Sequence, residues 1–157
     1  LLAVTLRALA STFFLVFALV GCEDGAATWV EGAMEANAAA DRAITTEDWD
    51  EARRILRGAV DRPVPESVAE EDARVVRQDL LYRLSTVELA AGDPVAAADR
   101  ADEGLNLGRA DDVFTANLLV ARAKAREALD RPREAAGDYF DALEINDELL
   151  DEALGDE

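Results

Sequence analysis

From position 28 onward the apolar residues return every three or four positions, the spacing that lines up one side of an α-helix. Ala52, Ile55, Leu56, Ala59 and Val60 make one such stripe, and Val76, Leu80, Leu84, Val87 and Ala91 make another. Phe114, Leu118, Ala121, Ala125 and Ala128 form a third, and Ala135, Ala136, Tyr139, Phe140, Ala142 and Leu143 a fourth. Charged residues fill the positions between, and no β-branched alternating run interrupts them. The punctuation is helical too. Thr46-Glu47-Asp48-Trp49 suits a helix start. Arg62-Pro63-Val64-Pro65 reads as a stop and linker, because proline disfavours helix in the residue before it. Ser67-Val68-Ala69-Glu70 fits a capping box. Gly92-Asp93-Pro94 offers a C-terminal glycine, an N-cap aspartate and proline at the first helical position. Asp111-Asp112 and Arg131-Pro132 open the next two segments. The pattern predicts helices over 28–44, 47–61, 67–91, 94–107, 112–129 and 132–145, with a short one over 147–154. Acid-to-base pairs four apart, Asp50–Arg54, Glu70–Arg74 and Asp79–Arg83, lend each helix about 0.2–0.5 kcal/mol per pair.

The N-terminus is a different polymer. Residues 1–21 hold one base, Arg7, and no acid, and Ala8 to Val20 is apolar apart from Ser11 and Thr12. A spanning helix needs about 20 apolar residues. This shorter run behind a lone positive charge has the length of a signal-peptide core. It ends in Leu19-Val20-Gly21-Cys22. That junction resembles the lipobox of bacterial lipoproteins: a large apolar residue, a tolerant position, a small residue, then cysteine. The resemblance implies cleavage after Gly21 and lipid on the Cys22 sulfur, the sole cysteine of the chain. Two or three acyl chains anchor stably, at about 0.8 kcal/mol per buried CH₂. The plainer reading is an ordinary signal peptide or short anchor beside an incidental cysteine. The division that follows is signal peptide 1–21, lipidated Cys22 with a short tether to 27, helical-repeat domain 28–154 and tail 155–157.

Within the helical part a motif repeats. Asp48-Trp49-Asp50-Glu51-Ala52, Asp93-Pro94-Val95-Ala96-Ala97 and Arg131-Pro132-Arg133-Glu134-Ala135 each open a helix. Further residues follow each alanine at plus four and plus seven: Leu56 and Ala59, Ala101 and Gly104, Tyr139 and Ala142. Small residues at both ends of such a helix let a neighbour approach closely, and the residue between them fills the gap. The arrangement resembles the second helix of tetratricopeptide repeats. The resemblance covers about 28–147 and implies an all-α, TPR-like solenoid of about three hairpins, with Leu149, Leu150, Ala153 and Leu154 supplying a C-terminal cap. Departures are visible. The spacing is 45 from Ala52 to Ala97 and 38 from Ala97 to Ala135, against about 34 for the standard repeat. Glu88 and Arg126 stand where the family usually has an aromatic, and Ala101 where a large residue is usual. A different bundle of α-hairpins is the alternative.

Composition narrows the function. The 157 residues carry 34 acids, 16 bases, no histidine and one cysteine, for a formal charge of -18. Loss of 1–21 removes Arg7 and no acid, which takes the mature charge one unit lower, to -19. Such a charge with few aromatics raises the prospect of disorder, but stripes in segment after segment speak for a folded chain. There is no imidazole for a catalytic pair and no cysteine cluster for zinc. The charge disfavours nucleic-acid phosphates and anionic lipid faces. Pairs such as Asp111–Asp112 and Glu70–Glu71 read as solvated surface. No calcium loop or phosphate loop is present in the sequence, and no cofactor, metal or small-molecule substrate is expected.

Together the lipobox and repeat resemblances imply binding as the activity: an envelope lipoprotein facing the periplasm, anchored through Cys22 and acting as a non-enzymatic scaffold or assembly adaptor for another protein. A self-associating structural lipoprotein is the alternative. The repeat resemblance implies a partner-binding face on the first helix of each hairpin, with Met34, Asn37, Asp41, Asp79, Tyr82, Thr86, Asn117, Val120 and Lys124. The acidic charge points to a basic surface on the partner. Trp29 and Trp49 are read as hydrophobic anchors of the first hairpin, with membrane contact as the alternative.

Overall fold

The computed structural model describes residues 24–155, which form six helices in three consecutive hairpins. They are α1 (Asp24–Thr45), α2 (Trp49–Val60), α3 (Glu70–Ala90), α4 (Pro94–Asn106), α5 (Val113–Ala128) and α6 (Pro132–Gly155). Each helix packs on the next, and α3 also touches α1 and α5, so the first helices of the hairpins stand side by side. The fold is all-α and repeat-like.

The three tight turns inside the hairpins share one geometry. Glu47, Gly92 and Asp130 each take a left-handed backbone, with φ of 56°, 83° and 58°. The N–H of the next residue returns to a carbonyl five positions back: Asp48 to Ala43, Asp93 to Glu88 and Arg131 to Arg126, each at 2.9 Å. The left-handed residue itself donates three positions back, to Ile44, Leu89 and Glu127. This double bond closes the orphan carbonyls at a helix end, the Schellman arrangement. Only the middle turn has glycine at the strained position. Beyond the turn Asp48 and Asp93 accept from the N–H of Glu51 and Ala96, capping α2 and α4.

The repeated small residues are where the helices meet. Ala52, Ala97 and Ala135 are buried, as are Leu56, Ala59, Ala101, Gly104 and Ala142. Tyr139 is half-buried, and its hydroxyl donates to Glu127 at 2.8 Å. At Gly104 the approach is closest: a Cβ there would stand 2.7 Å from both terminal carbons of the buried Leu118. One core joins α1–α3 around Leu56, Leu80 and Leu84; another joins α3–α6 around Leu81, Leu118 and Leu119. Trp29 is buried and Trp49 rests on the first core, so both indoles serve packing.

Several expected details differ. The first helix begins at Asp24 rather than 28, so helix takes in most of the stretch read as a tether. The Ser67 capping box does not form. Val68 N–H instead closes a turn on the Pro65 carbonyl, and α3 starts at Glu70 behind Ala69, which offers no side-chain cap. No break falls at 146: α6 runs on to Gly155 because Ile145 and Leu149, one turn apart, both lie on the second core. Of the four residues expected to cap the array, only Leu149 reaches the second core; Leu150, Ala153 and Leu154, on the far half of the same helix, are exposed. Arg54 and Arg74 pair three residues back, with Glu51 and Glu71, rather than four. The Asp79–Arg83 pair forms as expected at 3.7 Å.

Candidate functional site

The expected partner-binding residues fall on α1, α3 and α5, the three helices that stand side by side. Between α1 and α3 runs a groove of about 300 Å³ lined by Asp41, Ile44, Asp79, Tyr82, Arg83, Thr86 and Val87. Four of the nine expected residues are in that wall. Its polar groups are already engaged with one another. The Asn37 amide donates to Asp79 Oδ2 at 2.8 Å, and Arg83 Nη1 donates to Asp41 Oδ1 at 2.8 Å. The Thr86 hydroxyl donates to the Tyr82 carbonyl one turn back. Met34 stands well exposed above them. The α5 residues lie outside the groove: Lys124 is exposed, Asn117 is half-buried, and Val120 rests, like Tyr82, on the second core. The groove wall therefore sets Tyr82 beside two carboxylates, Asp41 and Asp79, that share Arg83.

Elsewhere buried charges tie helix to helix. Glu88 of α3 is almost wholly buried and meets Arg53 Nε at 2.7 Å and Arg57 Nη2 at 2.5 Å, both from α2. Asp138 of α6 is likewise buried and accepts from Arg122 at 2.7 and 3.1 Å and from Arg126 at 2.6 Å. Arg122 reaches on to Asp102 of α4 at 2.5 Å, so one guanidinium links α4, α5 and α6. Glu88 and Arg126, whose residue types depart from the repeat pattern the sequence resembles, are thus both engaged in ion pairs. Each carboxylate is held between two guanidiniums, an arrangement that fixes neighbouring helices against one another. Gln78, wholly buried, donates to the carbonyls of Gly104 and Gly108 and accepts from Arg74, fastening α3 to the end of α4.

Asp112 is the N-cap of α5 and also bonds Arg74 at 2.8 Å. Burial pushes its carboxyl up. The Thr115 N–H, the Arg74 guanidinium and the Thr115 hydroxyl together outweigh burial and hold it below the usual aspartate range. Of the acidic pair read as solvated, Asp111 is exposed, whereas Asp112 is a structural cap. The Arg122 guanidinium loses by burial but gains more from Asp138 and Asp102, so its acidity is weakened further.

Sequence periodicity missed these buried pairs, because they depend on which helices cross where. It also misplaced part of α6. Phe140 and Leu143, expected in the core with Ala135 and Ala142, face outward at 67% and 58% exposure, and Ala136 is exposed too. Among the described residues no three His, Cys, Asp or Glu side chains are grouped to hold a metal ion. Among them also, no helix is long and apolar enough to cross a membrane. Gly21 and Cys22 lie outside the described residues. No family model matches the chain, and no curated protein or solved structure matches it either.

Proposed function

We propose that the protein is a lipid-anchored adaptor of the bacterial envelope that binds another protein through TPR-like hairpins and performs no chemistry of its own. The observation that carries the binding reading is the α1–α3 groove, where Tyr82 lies among exchangeable polar pairs on a face made by successive first helices. A partner segment with basic side chains exchanges its own guanidinium or ammonium groups for Arg83 at Asp41 and Asp79. The net acidity of the chain steers such a partner in. The anchor rests on the Leu19-Val20-Gly21-Cys22 junction alone. Diacylated Cys22 would hold the hairpins close to the periplasmic side of a membrane.

Two experiments test the two halves separately. A photo-crosslinking residue at Met34 or Thr86 in native cells should trap one discrete partner, while the same residue at Asp99 on α4 should not. Equal trapping at all three positions would refute the face. A clickable palmitate analogue should label the wild-type chain and not Cys22→Ala. Labelling that persists in the variant refutes the lipobox.

A further inference from the structure

The outward side of α6 carries a second apolar stripe that the three hairpins do not use. At 3.6 residues per turn, Ala136, Phe140, Leu143, Asp147, Leu150 and Leu154 fall along one line of the helix. Phe140, Leu143, Leu150 and Leu154 are 67%, 58%, 55% and 63% exposed. From Phe140 to Leu154 the line is roughly 21 Å long, at about 1.5 Å per residue. Around Phe140 and Leu143 there is a depression of about 240 Å³ whose other walls are Glu144, Asp147, Glu148 and Asp151. Its floor is thus apolar except for Asp147, which stands in the line of the stripe, and the rim of Glu144, Glu148 and Asp151 is acidic. No lysine or arginine follows Arg133 anywhere in the sequence, so nothing on α6 beyond that point neutralises this rim.

We infer that this α6 face is a docking site for an amphipathic helix with basic flanks from another protein, its apolar side chains on Phe140, Leu143 and Leu150 and its bases on Glu144, Asp147 and Asp151. Charge selects that occupant. Two copies of this chain joined through the stripe would bring both Asp147 carboxylates into one desolvated seam, with no base of either α6 stripe to pair them. A basic helix instead sets its guanidinium groups against those carboxylates, and one of them can lie over the Phe140 ring. The anchors repeat at three- and four-residue spacing, the register of helix-in-groove recognition. This site is on a different face from the α1–α3 groove and stands independently of it.

The test uses the full chain and two synthetic helices of about five turns, with the same leucine stripe but arginine or glutamate on the flanks. Fluorescence anisotropy should show saturable one-to-one binding of the arginine helix and none of the glutamate helix. Phe140→Gln with Leu143→Gln should weaken the arginine helix by about tenfold or more, as loss of central apolar anchors does. Glu144→Arg with Asp147→Arg should exchange the preference, so that the glutamate helix binds and the arginine helix is lost. Circular dichroism checks that both variants keep their helices. Arginine-helix binding unchanged in the double-glutamine variant would overturn the proposal, since charge alone would then account for it. So would equal binding of both helices. A concentration-dependent dimer that the double-glutamine variant abolishes, and that the arginine helix does not compete for, would assign the stripe to a second copy instead.

Discussion

The two sides of α6 invert the usual rule of burial. Its inner side buries two alanines, an isoleucine and the carboxylate of Asp138; its outer side leaves a phenylalanine and three leucines in water. Hydrophobicity did not decide which residues went inside. Proximity did: α6 lies so close to α5 that small residues are needed at Ala135 and Ala142, and Asp138 is tolerated between them because Arg122 and Arg126 reach it from α5. The inner side is specified by what faces it across a narrow seam. The outer side has nothing across from it among the described residues, so its large apolar groups are free for another use.

The strongest way to break this contrast is on the inner side. Asp138→Ala removes the buried acid that Arg122 and Arg126 share, leaving Arg122 with Asp102 and Arg126 with only the distant Glu134 at 4.0 Å. Breaking a buried pair in this way costs about 3 kcal/mol or more. That is a large part of the roughly 5–15 kcal/mol that holds a domain together. A denaturant melt should show a clear fall in midpoint; an unchanged midpoint would mean that the pair is not formed in solution. Ala135→Trp should follow, at about 1–3 kcal/mol, because the indole has no room in the seam. An unaltered melting temperature would place Ala135 in solvent.

Acid sharpens the comparison at the other end of α5. Asp112 is held below its ordinary range in the folded chain, so its contribution is complete above the unfolded value, about 4, and is lost as pH falls through the lower folded value. Between pH 5 and 7 the Thr115 amide should therefore exchange at a steady protection, and that protection should fall away only in stronger acid. Hydrogen exchange followed by NMR reads it, and loss of protection already near pH 6 would contradict the clamp. The smallest effect belongs to the outer side. Phe140→Gln with Leu143→Gln should move stability by no more than about 0.5 kcal/mol, as exposed positions do. A thermal melt that drops as far as that of Ala135→Trp would show that the stripe is buried after all.

Much of this was legible in the sequence, for local reasons. Asp93-Pro94 starts α4 where cap and proline say it should, and Ala52, Ala97 and Ala135 sit at helix crossings as their spacing implies. Local signals failed where a second local solution competed. Ser67 and Glu70 had the right spacing for a capping box, but the backbone turn at Pro65 used that stretch first. Cross-helix chemistry was not legible at all. Nothing in the neighbours of Glu88 tells that Arg53 and Arg57, a hairpin away, will enclose it. In the candidate site, the α3 residues and Asp41 came together, because one face of neighbouring helices converges. Asn117, Val120 and Lys124 did not join that groove, since α5 lies beyond α3.

The three matching turns have a consequence for how the chain acquires its shape. Among the described residues, every helix contact is with the next helix or the next but one, and the first and third hairpins do not touch. Contacts so near in sequence close small loops, which is the circumstance in which helical proteins fold within microseconds to milliseconds. Each hairpin can form around its own reversal and then recruit a neighbour, as in other linear arrays. A chain emerging end first can therefore build itself in order of arrival, each hairpin packing on the one before it.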